Sequence, residues 1–452
     1  MSKAPVPTFD QALAGRIAGV QVSGNDGQPG VANTLVIRGN NSLTQSNEPL
    51  YVIDGYPIES FEDLPISPSD IESIQVLKDA SATSIYGSRG ANGVVIITTK
   101  KGVAGKPAIS VNTYYGVQKV AKRMEMMSPY EFVKYENELN PATTERIYLQ
   151  ERTLEDYKNI KGYNLQNELF QSAPIFNADI GFRGGNDGTQ YSVFTNILRS
   201  EGVIINSGYN RLQGKFSLSQ QLSKNIKGYI NTTFTKSKTD GSIISENTGG
   251  IASLSKIYST LGYRPVNGTE DGPDLTEEFY DPVVLDETPT DYRVNPVISS
   301  RNEINSRILT STVINGYFDF KLSKNLLLKI RGGLTENSMN RESFYNSKTQ
   351  KGNPNYPTSQ GTTGAVSELK TQNWLNENTL SYTTKINKHK INALAGFTMQ
   401  ENRLFYSGFE ASFIEDESMG IDGIDLSATL TPTVYKKRMG SCIFPGSRKL
   451  YV

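Results

Sequence analysis

Residues 49–60 read PLYVIDGYPIES, and residues 70–102 read DIESIQVLKDASATSIYGSRGANGVVIITTKKG. The apolar residues 50–53 predict a short strand, and the Asp54-Gly55 pair that follows suits a turn with positive φ. Ile74 and Val76 alternate with Gln75 in a second strand, placed at 74–77. Asp79 is positioned to cap a short Ala/Ser-rich helix that ends at Gly87. Val94, Val95, Ile96 and Ile97 form an unbroken apolar run of the kind found in a fully buried strand, placed at 94–99.

Gly87, Gly90 and Gly93 precede that run at intervals of three. A dinucleotide fingerprint needs a strand before its glycines and a helix after them, so that a helix N-terminus faces the anion. Here the helix comes first and the buried strand afterwards. The glycines therefore read as a tight structural connection.

Upstream, Thr8 and Gln11 make a capping box for a helix in which Leu13, Ile17 and Val20 share a face, with Gly19 available to end it. Strands follow at 20–22 and 35–37, the second running into Arg38-Gly39. Arg38 reads as a paired structural arginine rather than a ligand residue, because unpaired buried charge is rare.

These segments resemble the plug domain of TonB-dependent outer-membrane transporters. The resemblance rests on YVIDGYPI (51–58) and on KDASATSIYGSRGANGV (78–94), whose wording is closest to the SusC/RagA branch. FDQALAGRIAGVQV (9–22) and LVIRGNNSL (35–43) match the same domain in the same order. It marks Arg38, Gly39, Asp54, Gly55, Lys78, Asp79, Tyr86, Gly87, Arg89, Gly90 and Gly93 as plug-motif residues with structural or gating roles. The resemblance implies a plug that blocks a membrane barrel until an energised inner-membrane partner, the TonB complex, displaces it. It also implies a SusD-like surface lipoprotein, outer-membrane lipid around the barrel, and an oligosaccharide or peptide as cargo. Family members carry a signal, a small β-sandwich and a TonB-contacting segment ahead of the plug. The start MSKAPVPTFDQALAGR has no apolar core or cleavage pattern, so the chain is expected to begin partway through such a protein.

Lys plus Arg number 46 and Asp plus Glu number 46, which leaves no basic excess for a nucleic-acid partner. Mean hydropathy is −0.42. No apolar run approaches the ~18 residues of a membrane-spanning helix, so a membrane passage would have to use strands. Tyr (24) and Phe (18) supply aromatics suited to interfacial girdles or to ordinary cores. Cys442 is the single cysteine and His389 the single histidine, the latter in the turn sequence INKHKIN. A nucleophilic site needs a base beside its nucleophile, and a zinc site needs three or four ligands. No catalytic, metal or cofactor residue is expected. Asp416, Glu417, Asp422 and Asp425 lack EF-hand spacing and read as a surface acidic loop.

Beyond Gly102 the pattern changes to period two. Phe176, Ala178, Ile180 and Phe182 alternate with Asn177, Asp179, Gly181 and Arg183. Leu212, Gly214, Phe216 and Leu218 alternate with Arg211, Gln213, Lys215 and Ser217. Nine strands are readable, near 107–117, 174–184, 189–200, 209–222, 226–238, 307–322, 326–336, 373–385 and 390–402. Their links alternate. Those at 118–173, 239–306 and 337–372 are long; 185–188, 223–225, 323–325 and 386–389 are tight, and Leu-Ser-Lys-Asn recurs at 222–225 and 322–325. Short turns on one side and long loops on the other mark an outer-membrane barrel. In the longest links Tyr258, Tyr263, Phe279, Tyr280 and Tyr292 suit either sugar stacking or packing within their own loop.

The expected organisation is an α+β plug at 1–105, followed at 106–430 by an antiparallel, incomplete transmembrane β-barrel, mainly β overall. The ending VYKKRMGSCIFPGSRKLYV, within a tail at 431–452, drops the alternation and reads as a shifted frame rather than a family strand. About 22 strands close a barrel around a plug, so nine would leave it open and unable to insert alone. A soluble or surface-attached carbohydrate-binding β protein without transport activity is the competing class. The alternating links argue against it.

Overall fold

The computed structural model describes residues 13, 15–17, 19–23, 29–30, 33–39, 42, 47–58, 66–78, 84–241, 256–266, 294–354, 361–386, 389–443 and 446–451. The caps expected at Thr8–Gln11 and Asp79, and the loop aromatics Phe279, Tyr280 and Tyr292, lie outside these residues.

In the N-terminal domain, β1 (Val20–Ser23) and β2 (Thr34–Ile37) pair as an antiparallel ribbon. A four-stranded sheet of β3 (Leu50–Ile53), β4 (Tyr56–Ile58), β5 (Ile71–Leu77) and β6 (Val94–Thr99) runs in the order β4-β3-β6-β5. The apolar run takes the centre, as its composition requires: Val94, Val95 and Ile97 are fully buried, with β6 parallel to β3 and antiparallel to β5. Asp54 (φ 50°) and Gly55 (φ 84°) both adopt the left-handed conformation that joins β3 to β4 in a tight hairpin. Gly93 has φ 93°, and a Cβ there would stand 2.8 Å from Ile37 Cδ1. Conformation and space both demand glycine at that position. The helix expected to end at Gly87 differs: residues Ser84–Gly90 form a 3₁₀ run kinked at Gly87 (φ 60°, ψ −146°).

The second part is one large antiparallel sheet. Its strands are β7 (Gly105–Gln118), β8 (Ala173–Gly185), β9 (Thr189–Glu201), β10 (Gly208–Ser223), β11 (Ile226–Asp240), β12 (Glu303–Lys321), β13 (Leu326–Tyr345), β14 (Thr363–Ile386), β15 (His389–Ile414) and β16 (Ser427–Ile443). Each pairs with its predecessor, and β7 and β16 end the path without meeting. Consecutive antiparallel pairing puts the strand ends that flank 119–172, 202–207, 241–302, 346–362 and 415–426 at one end of the sheet, and those that flank 186–188, 224–225, 322–325 and 387–388 at the other. The expected asymmetry is present.

Two expectations need correcting. The sheet holds ten strand positions, not nine, and β16 runs across the boundary expected at 430/431 and through the supposed break after Thr433. A further segment, β17 (Gly446–Tyr451), pairs with Lys390–Ala395 of β15. The matches Thr398↔Ile443 and Ala395↔Gly446 keep one register, so β17 prolongs β16 in line. The physical reason is that β15 presents an edge of N–H and C=O groups that any extended backbone can satisfy, with no need for alternating side chains.

The faces of this sheet are distributed inside out. Toward the N-terminal domain point Asn196, Gln213 and Ser311, all fully buried, with Arg211, Lys215, Ser217, Asn231, Thr233, Thr235 and Asn337 also buried. On the opposite face Val193, Ile197, Leu212, Phe216, Ile230 and Phe234 are 40–46% exposed. A water-soluble sheet buries its apolar face; this one buries the polar face and displays the apolar one, as lipid-facing barrels do. Val313 and Leu375 are inward apolar exceptions that join the core around Tyr51, Tyr56, Val95 and Ile97.

Candidate functional site: the plug–barrel interface

The strand alternation turns Arg211, Gln213, Lys215 and Ser217 inward, and Gln213 and Lys215 meet the turn at 66–70. Ser67 caps that turn, its Oγ accepting from Ser69 N at 3.3 Å. Asp70 at its end is buried, and Lys215 Nζ lies 3.0 Å and 3.1 Å from its two carboxylate oxygens. The same ammonium donates to Lys100 O at 2.9 Å and to Thr99 Oγ1. Burial pushes the Asp70 carboxyl up to about 7, although Lys215 pulls in the other direction.

A second buried carboxylate comes from the wall. Asp179 on β8 accepts from Ser69 Oγ at 2.6 Å and from Ser67 Oγ at 3.4 Å. Asn112, Asn177 and Asn196 donate to the same group at 3.1, 3.1 and 2.6 Å, and Arg211 donates to Asn196 Oδ1. Gln213 Oε1 accepts from Ser67 N at 2.8 Å. The 66–70 turn is thus held by three inward side chains on two strands.

The β3–β4 hairpin docks further round the wall. Arg331 donates to Gly55 O at 2.9 Å, and Tyr56 Oη donates to Asn373 O at 3.3 Å. The Tyr56 ring lies over Gly333, where a Cβ would come within 2.2 Å of Cε2. Glycine in the wall makes the recess that the ring fills. Asp54 does not reach the wall; it accepts from Thr99 N at 3.1 Å and from Thr99 Oγ1, tying the hairpin to β6.

The other motif residues are distributed as follows. Arg89 donates to Gln400 Oε1 at 2.9 Å, a direct contact with β15. Tyr86 packs on Leu50, Val52 and Val94. Arg38 (φ 60°) and Gly39 (φ 91°) are exposed. Lys78 is half-buried and Gly90 buried. The structure brings Gly55 and Arg89 to the wall; Asp54, Tyr86 and Gly93 serve the domain's own core. Sequence reading did not single out Asp70, Asp179, Lys215 or Arg331 as site residues. For Asp179, Lys215 and Arg331 the one signal was a charge on the polar side of the strand alternation; Asp70 carried none.

At the long-link end, residues 119–172 carry a helix, α1 (Pro129–Leu139), with a complete capping box between Ser128 and Glu131. Of the loop aromatics described, Tyr263 is buried with Leu165, Leu169, Ile204 and Val297, whereas Tyr258 is exposed. In the acidic loop Asp416 accepts from Ser418 N at 3.1 Å, and Glu417 accepts from Ser347 N at 2.8 Å. His389, the first residue of β15, is exposed.

Residues 1–94 match the family model of the TonB-dependent Receptor Plug Domain. TonB-dependent receptor P26 of Formosa agariphila is 33% identical over 422 residues, covering 92% of this chain and 40% of P26. TonB-dependent receptor SusC of Bacteroides thetaiotaomicron is 32% identical over 293 residues, covering 62% of this chain and 27% of SusC. The RagAB peptide importer in its open-open state shares the fold, with a TM-score of 0.76 at 24% identity over 98% of this chain and 51% of that one. The chain therefore spans about half or less of the length of these relatives. Taken with a plug sheet seated on the polar face of an antiparallel wall, these matches make the chain a SusC/RagA-like member of the TonB-dependent transporter family.

Proposed function

We propose that this chain supplies the plug and the plug-facing wall of an outer-membrane nutrient importer in which the plug gates the lumen. The observation that carries the reading is the inside-out sheet: buried polar side chains grip a separate domain while large apolar ones face outward. Such a wall is suited to lipid on one side and to a removable, hydrated stopper on the other. Arg89, Gly55 and the 66–70 turn hold the plug in place, and the inner-membrane TonB complex supplies the pull that displaces it. The end of the sheet that carries the long links is where a SusD-like lipoprotein and an oligosaccharide or peptide cargo would be met.

The test joins plug to wall covalently. Ser69 and Asp179 are in side-chain contact, so Ser69→Cys with Asp179→Cys should form a disulfide across the interface. In the outer membrane of the producing cell, uptake of labelled oligosaccharide or oligopeptide should stop on oxidation and return on reduction. Uptake that continues with the cross-link fully formed would overturn the reading.

A further inference from the structure

Between the plug contacts and the short turns, the inner face of the wall becomes cationic. On that face β8 carries Arg183 beyond Asp179, and β11 carries Lys227 beyond Tyr229. Likewise β12 carries Asp319 and Lys321 beyond Val313, β13 carries Lys329 beyond Arg331, and β14 carries Glu377 and Lys385 beyond Leu375. Unbroken register keeps all of them on the side that faces the plug. The two carboxylates are engaged: Glu377 lies 3.7 Å from Arg331, and Asp319 lies 3.4 Å from Lys329. Lys227 stands opposite Asp319 in register without an ion pair. Arg183, Lys321 and Lys385 are exposed and form none either, among the described residues.

Arg183, Lys227, Lys321 and Lys385 each stand within three residues of a short link, so together they edge one mouth of the lumen. A mouth edged by one sign of charge focuses its field into the opening and concentrates the opposite sign there. The inward residues between the cations are mostly hydroxyls and amides: Ser219, Gln221, Thr379, Ser381 and Thr383. Leu327 is the apolar exception on β13. Tyr229 and Tyr317 stack on each other at 5.2 Å, with the Lys101 and Lys329 ammoniums over them. Such a lining offers sugar hydroxyls many partners and the mixed side chains of a peptide little apolar surface. We propose that this mouth takes an anionic oligosaccharide, whose carboxylate- or sulfate-bearing sugars are held by Arg183, Lys227, Lys321 and Lys385 as it leaves the lumen. The inference rests on the importer reading and narrows its cargo to acidic sugars.

Fluorescence anisotropy with the full chain in non-ionic micelles provides the test. The labelled probes are oligogalacturonate, maltooligosaccharide and oligoglutamate of equal length. Oligogalacturonate should bind most tightly, and added salt should weaken it. Lys227→Gln with Lys321→Gln and Lys385→Gln should weaken that binding roughly tenfold, as the loss of three exposed charge contacts implies. Arginine at the same three positions should preserve it, and Lys321→Gln alone should cost about twofold. The control Lys134→Gln with Lys236→Gln and Lys370→Gln removes as much charge from exposed sites elsewhere and should change little. Equal loss in the control, equal binding of the neutral oligomer, or tighter binding of oligoglutamate would each overturn the proposal. Those outcomes leave the plug-gated wall standing, because the Ser69–Asp179 cross-link tests it separately. Uptake that ignores that cross-link while the mouth still selects oligogalacturonate would remove the gating alone.

Discussion

Lys215 on β10 and Asp70 in the plug are 145 residues apart and meet as an ion pair in which each side chain is 1% exposed. Removing one member of such a pair strands the other, typically at about 3–5 kcal/mol. Lys215→Met should therefore weaken plug docking by roughly that amount at pH 8. Asp70→Asn should cost less, because Lys215 keeps Lys100 O and Thr99 Oγ1 as acceptors. The double variant should lie nearer the parent than Lys215→Met does. Denaturant unfolding in micelles, followed by plug proteolysis, measures all three.

The same pair sets a pH dependence. Burial raises Asp70 from 3.8 to about 7, so across that interval the folded chain holds a proton that the unfolded chain has released. Its contribution is complete below the unfolded value and is lost as pH rises through about 7. Plug docking should be firmer at pH 5 than at pH 8, and Asp70→Asn should flatten the slope. Equal slopes in parent and variant would contradict the assignment.

Gly333 faces Tyr56 with no room for a Cβ. Gly333→Ala should loosen the hairpin contact by about 1–3 kcal/mol, the usual cost of overpacking. Tyr56→Leu in the same chain should recover part of that loss. Protease sensitivity of residues 50–58 reads both effects.

Leu212 separates the two views of the outward face. In lipid, Leu212→Arg should destabilise the chain by about 2–4 kcal/mol near the midplane and less toward the rim. On a water-exposed sheet the same change would be nearly neutral. Reversible unfolding from lipid vesicles distinguishes the outcomes.

Glu131 is held below its usual carboxylate range, chiefly by the Ser128 backbone N–H and then by its hydroxyl. The capping contribution of Glu131 should be present above its unfolded value and fade as pH falls through its lowered folded one. Glu131→Gln should remove that acid dependence in the 119–172 segment without altering plug docking. Hydrogen exchange of α1 reports it.

Short-range chemistry was legible in the chain. The Asp54-Gly55 turn and the buried 94–97 run announce themselves because their causes lie within a few residues. The nine strands were found through alternation and link length, but β16 was not, since an edge partner can order a segment whose side chains carry no pattern. Lys215 and Asp179 stood on a visible polar face. Nothing local could say that this face meets Asp70, Ser67 and Ser69, which lie more than 100 residues earlier.

The polar inner wall also fixes what it takes to part the two domains. Across most of the contact, separation exchanges hydrogen bonds between proteins for hydrogen bonds to water, and wetting of the bared surfaces restores much of what is lost. Among the described residues it is around Val313, Leu375 and Tyr56 that parting exposes a greasy spot water does not repay. Resistance to withdrawal is therefore concentrated in a few discrete catches, a buried ion pair and one seated ring among them, rather than spread as adhesion over the whole area. Such a joint yields in steps under a directed pull, and can close again without a sticky surface left open to the wrong partner.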